Sequence, residues 1–94
     1  MIDNYILEAL IQDGKTIDLI KTYISYCCCL HIEKNKLKEI INNLYNAGLI
    51  KIAYPLEYVN QQYLDDIFFD EYWFELSTLG EKECIRRGLM CGNH

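Results

Sequence analysis

Apolar residues recur at helical spacing through the first half of the chain and at alternate positions in two stretches of the second. Around Asp3 to Gln12, the residues Ile2, Tyr5, Ile6, Ala9 and Leu10 share one helical face, with Asp3 placed to cap the first amides. Asp13-Gly14 interrupts that pattern. Thr16 offers a new cap before Ile17, Ile20, Ile24 and Cys28 resume it. No Gly or Pro falls between Lys15 and Ala47, so the next turn is placed from periodicity alone, near Cys29 to Glu33. Leu37, Ile40, Ile41 and Leu44 then make a third stripe, and Gly48 stands where a left-handed residue would end the helix. The spacing predicts helices over about 3–12, 17–28 and 34–47.

Beyond Gly48 the period falls from roughly 3.6 to 2, the signature of a strand. Ile50, Ile52 and Tyr54 alternate in one stretch, and Tyr72, Phe74 and Leu76 in the other. Pairing Ile50 with Leu76 sets Ile52 against Phe74, Tyr54 against Tyr72 and, on the opposite face, Lys51 against Glu75. A single register thus satisfies both faces. The expected hairpin has strands over about 49–59 and 67–77, with Pro55 limiting the ladder or marking a bulge. Ser77 or Thr78 can cap a short last helix over about 78–87; Thr78 and Glu81 have capping-box spacing, and Gly88 is a stop. The expectation is one α+β domain over 1–94, mostly α: three helices, a long two-stranded hairpin and a short C-terminal helix.

That succession resembles a winged helix-turn-helix domain. The stretch "LYNAGLIKI" resembles the passage from recognition helix to first wing strand, and "YWFELSTLGEKE" resembles the return strand followed by Leu, Ser or Thr, two residues and Gly. The likeness to small bacterial MarR-like and PadR-like regulators implies a third helix in the major groove and a wing on the DNA backbone or minor groove. Those regulators often dimerise through long terminal helices. The few residues after the second strand cannot supply such an arm, so a homodimer would need another surface, such as the first helix, where Leu7 and Ile11 fall away from the main apolar face.

Charge divides this resemblance in two. The net charge of −5 is unevenly spread: residues 31–51 carry +2, whereas residues 52–80 carry −6 and no Lys or Arg. Opposite the core stripe of the third helix lie Asn35, Asn42, Asn43 and Asn46, with Lys34, Lys36 and Lys38 near its start or margins and Glu39 among them. Asn can read adenine and Lys can hold phosphate, so these seven Asn and Lys residues form the candidate DNA surface of a transcriptional regulator. A solvated face with the Asn and Lys bias of an AT-rich genome would carry the same residues. The hairpin supplies Asp65, Asp66, Asp70, Glu71 and Glu75, which oppose association with a polyanion. A DNA-binding form therefore requires the wing to turn outward. Alternatively, those acids together with Phe69 and Trp73 form the candidate surface of a protein-binding module, such as an inhibitor or immunity protein covering a basic partner.

The remaining chemistry is sparse. Cys27-Cys28-Cys29 cannot all face one metal ion from a helix, and Cys84, Cys91 and His94 add no paired short spacing. Cys28 fits the core stripe as a small apolar residue. There is no glycine-rich phosphate loop, nucleophile elbow or His-containing metal motif, so no catalytic residue, metal ligand or cofactor is assigned. No apolar run is long enough to span a bilayer and no basic-then-apolar leader opens the chain, which makes a cytoplasmic protein without a membrane partner the expectation.

Overall fold

A computed structural model describes residues 2–90. Helices α1 (Ile2–Gln12), α2 (Ile17–Cys27) and α3 (Lys34–Asn46) precede strands β1 (Ile50–Tyr54) and β2 (Trp73–Leu76), and α4 (Thr78–Arg86) follows. The result is a small, mostly helical α+β fold with one antiparallel pair of strands, an arrangement compatible with a winged helix.

Each helix ends where its sequence stops supporting it. The Thr16 hydroxyl accepts the Leu19 amide at 3.3 Å to open α2. Cys28 closes that helix, and Cys29 takes a left-handed φ of 53° that turns the chain toward α3. Gly48, at φ 78°, provides the corresponding reversal after α3. Ser77, rather than Thr78, caps α4 by accepting the Gly80 amide at 2.9 Å. The Ser77 hydroxyl also donates to the Gly48 carbonyl, so one residue joins both ends of the hairpin. Gly80 meets the backbone itself: a Cβ there would sit 1.8 Å from the Leu49 carbonyl oxygen. The Ser-Thr-Leu-Gly segment thus lets α4 rest directly on the chain entering β1.

The core is wholly apolar. Ile6, Leu7, Ile17, Ile20, Ile24, Leu37, Ile41, Ile52, Tyr72 and Phe74 are all essentially inaccessible, and no described residue with a charged side chain is buried. Leu7 corrects the expectation of a free second face on α1. Because α1 packs on α2, α3, β2 and α4, its buried arc is wider than one stripe; Leu7 is fully covered and Ile11 half-buried against the core. Leu7 therefore cannot serve the twofold contact expected of it, whereas Ile11 keeps part of its surface.

The hairpin is shorter than its sequence pattern implied. Ile50↔Leu76, Lys51↔Glu75 and Ile52↔Phe74 pair in the expected register, but an irregularity between Ile52 and Tyr54 sets Tyr54 against Trp73 instead of Tyr72. The other edge of β2 is held by the turn after α1, where Lys15 and Phe74 exchange both backbone hydrogen bonds at 2.9 and 3.0 Å. Past Pro55, which has no N–H to offer, the chain leaves the ladder for a 3-10 turn at Leu56–Tyr58 and a 3-10 helix at Asp66–Glu71. An extended ribbon there would have stranded Phe69 and Tyr72 in water. Folded back, they are buried, in a ring cluster that runs from Phe68 stacked on Tyr58 (5.8 Å) through Tyr72 to Phe69 and Phe74. The Tyr72 hydroxyl takes the Asp65 amide at 3.0 Å and the Gln61 side-chain amide at 2.7 Å, and Tyr45 of α3 donates to the Gln61 carbonyl.

Candidate functional site: the arm over the third helix

The segment from Tyr54 to Trp73 forms an arm laid against α2 and α3. Asp65 caps its 3-10 helix by accepting the Ile67 amide at 2.9 Å. Asp66 and Asp70, four residues apart, then both face α3. Asp70 lies 2.8 Å from the Lys34 ammonium, which also reaches Asp18 of α2 at 3.1 Å. Those two hydrogen-bonded carboxylates, Asp70 first, raise the Lys34 pKa. Asp66 lies 3.0 Å from Lys38, whose ammonium also sits 5.5 Å above the Phe69 ring.

These contacts overturn the expectation that the acidic segment turns outward, away from α3. Two of the three Lys and two of the three Asp that were assigned to different ligands meet each other instead. Lys36 lies 3.5 Å from Glu39 on the same helix, and Asn42 is half-buried with its amide donating to the Lys38 carbonyl at 3.1 Å. Asn35, Asn43 and Asn46 remain exposed. Beside them an open groove of about 470 Å³ runs between α1, α3 and α4 over Ile40 and Leu44, with Lys36 and Arg87 on its rim.

The protein-facing set is redistributed as well. Phe69 is 1% exposed and belongs to the core, so it cannot touch a partner. Glu71 and Trp73 are exposed, and Glu75 is half-exposed, 3.3 Å from Lys51 across the hairpin. Sequence reasoning missed Tyr54, Leu56, Tyr63 and Ile67, which are 59%, 77%, 77% and 82% exposed and surround the same acids with apolar surface. The Phe68-Phe69 pair held a usable signal: once both turn inward on a 3-10 helix, Ile67 has to face water.

No family model, curated protein or solved structure matches the chain. The geometry therefore stands alone. Among the described residues, no group of three or more His, Cys, Asp or Glu side chains could hold a metal ion; Cys91 and His94 lie outside them. Cys27 and Cys29 are exposed, and burial pushes the thiols of half-buried Cys28 and buried Cys84 up, away from a reactive thiolate. At the end of α4, Arg86 and then Arg87, which caps the helix, hold the Glu83 carboxyl down at about 2, and Arg87 extends the network to Asp3 and Asn4 of α1. No described helix is long and apolar enough to cross a membrane.

Proposed function

We propose that this chain is a non-enzymatic protein-binding module on a winged-helix scaffold, using the outer side of its arm to cover a basic partner in the manner of an inhibitor or immunity protein. The winged-helix reading draws support from the order of elements and from the two resembling passages, which fall at the junctions of α3 with β1 and of β2 with α4. One observation carries the protein-binding reading: exposed Tyr54, Leu56, Tyr63, Ile67 and Trp73 all lie between residues 54 and 73. Glu57, Asp65 and Glu71 lie in the same segment, which has no base of its own. Apolar surface rimmed by one sign of charge favours a partner of opposite sign, with burial giving affinity and the acids speeding encounter. Meanwhile Lys34 and Lys38, the cations best placed for phosphate, face carboxylates of their own chain.

Capture from the native host by wild-type protein, Trp73→Ala and Glu71→Lys, with the recovered protein then purified and retested, examines this. One basic protein retained by the wild type and lost by both variants is the expected result. Equal recovery by all three forms defeats the proposal. Exposed Asn35, Asn43 and Asn46 support a second reading, a DNA-binding transcriptional regulator, which would have to hold the duplex with the acidic arm folded over Lys34 and Lys38 instead of turned outward. It demands duplex binding that weakens steeply with salt and changes sequence preference in Asn43→Ala.

A further inference from the structure

Burial alternates from residue 71 to residue 75, across the end of the 3-10 helix and the start of β2. Tyr72 and Phe74 are fully buried, whereas Glu71 and Trp73 are exposed and Glu75 is half-exposed. Trp73 and Glu75 share the outer face of β2, where strand geometry spaces their Cα atoms by roughly 6.6 Å, and Glu71 ends the 3-10 helix two residues before Trp73, so its Cα lies within about 7 Å of that of Trp73. Tyr54, exposed on β1, is the cross-strand partner of Trp73. Glu75 already faces Lys51 at 3.3 Å, whereas Glu71 faces no base among the described residues.

From this stripe we infer that Trp73 and Glu71 form a receptor for an arginine side chain of the partner protein, with the guanidinium stacked on the indole and hydrogen-bonded to the Glu71 carboxylate. Arginine fits better than lysine. Its planar, weakly hydrated cation both stacks on an aromatic face and forks onto a carboxylate, whereas an ammonium is a hydrated point charge that gains little from the ring's flatness. A carboxylate two residues from the ring lies within reach of a guanidinium centred about 6 Å or less from it. Glu75, anchored by Lys51, borders the other side and supplies a second acceptor.

The inference rests on the protein-binding reading but is tested apart from it. Trp73 is the sole tryptophan, so its emission reports on this site alone. Full-length protein is titrated at low salt with three ten-residue probes in which Gly alternates with Arg, Lys or citrulline. Expected are a saturable change in Trp73 emission with the Arg probe, binding at least about threefold weaker with the Lys probe, and none with citrulline. Glu71→Gln should weaken the Arg probe several-fold, measured by anisotropy of labelled peptide, while Glu33→Gln, an exposed carboxylate before α3, should leave it unchanged. Equal affinity for Arg and Lys, or equal effects of Glu71→Gln and Glu33→Gln, overturns the arginine assignment. So does an emission unchanged by every probe. In each of these cases the protein-binding reading still stands or falls on the capture of a partner by wild-type and variant protein.

Discussion

Replacing Phe69 with Ala should unfasten the arm far more effectively than removing the ion pairs that also hold it. Phe69 is 1% exposed and touches the rings of Tyr72 and Phe74 at centroid distances of 6.1 and 5.8 Å. Truncating so completely buried a ring costs about 3–5 kcal/mol. The pairs of Lys34 with Asp70 and Lys38 with Asp66 involve Asp side chains that are 59% and 85% exposed. Screened pairs of that kind contribute about 0.2–1 kcal/mol each, so Asp66→Asn with Asp70→Asn should cost no more than about 2 kcal/mol together. In a domain of this size each kcal/mol moves the midpoint by about 4–8 °C, so thermal unfolding separates the two outcomes easily. Hydrogen exchange at Tyr72, whose amide bonds to the Phe69 carbonyl, distinguishes local release of the arm from global unfolding. Salt adds an independent reading, since 1 M NaCl shortens the screening length to about 3 Å and weakens ion pairs while leaving ring burial intact. The reasoning fails if the double Asn variant loses as much stability as Phe69→Ala, or if 1 M NaCl alone frees the Tyr72 amide.

Two further substitutions probe the scaffold. Gly80→Ala, stabilising by about 1 kcal/mol in an ordinary exposed helix, should here destabilise by about 3 kcal/mol or more, because its Cβ would fall 1.8 Å from the Leu49 carbonyl oxygen; urea unfolding at unchanged or raised stability would contradict that contact. Glu83 should titrate near 2 rather than 4.5 by carboxyl NMR. Since the folded value is depressed, its contribution to stability is complete above about 4.5 and is lost as pH falls through 2. Arg87→Gln, which leaves Arg86 alone, should return the midpoint part of the way toward 4.5, and a midpoint unmoved in that variant would show that Arg87 does not act on it.

Local rules made the helices and the base of the hairpin legible in the sequence. Thr16, Gly48 and Gly88 punctuate the chain by their own chemistry, and the Ile50, Ile52, Phe74 and Leu76 alternation admits one register. The arm obeyed a longer-range demand. Its alternating aromatics read equally well as strand, and only the hydrophobic surface offered by α2 and α3 decides that Phe69 and Tyr72 leave the ladder to be buried. Leu7 failed for a related reason: a single-stripe view of α1 cannot foresee β2 and α4 covering its flank. The bulge that moves Trp73 opposite Tyr54 has no marker in the sequence except the nearby Pro55.

Charge gives the arm two distinct sides. The six carboxylates of residues 52–80 have no base within that stretch, a concentration that would repel itself if all faced outward. Asp66, Asp70 and Glu75 instead meet Lys38, Lys34 and Lys51 from other parts of the fold. Among the described residues, the acids facing no base are Glu57, Asp65 and Glu71, and these are interleaved with the exposed apolar residues. If the acids served only to fasten the arm, Asp66 and Asp70 would suffice and Glu71 would be dispensable. Glu71→Gln should then leave both the midpoint and partner capture unchanged. A variant that keeps the wild-type midpoint but loses the partner would place the function of Glu71 outside the fold's own stability, on the surface it shares with Trp73.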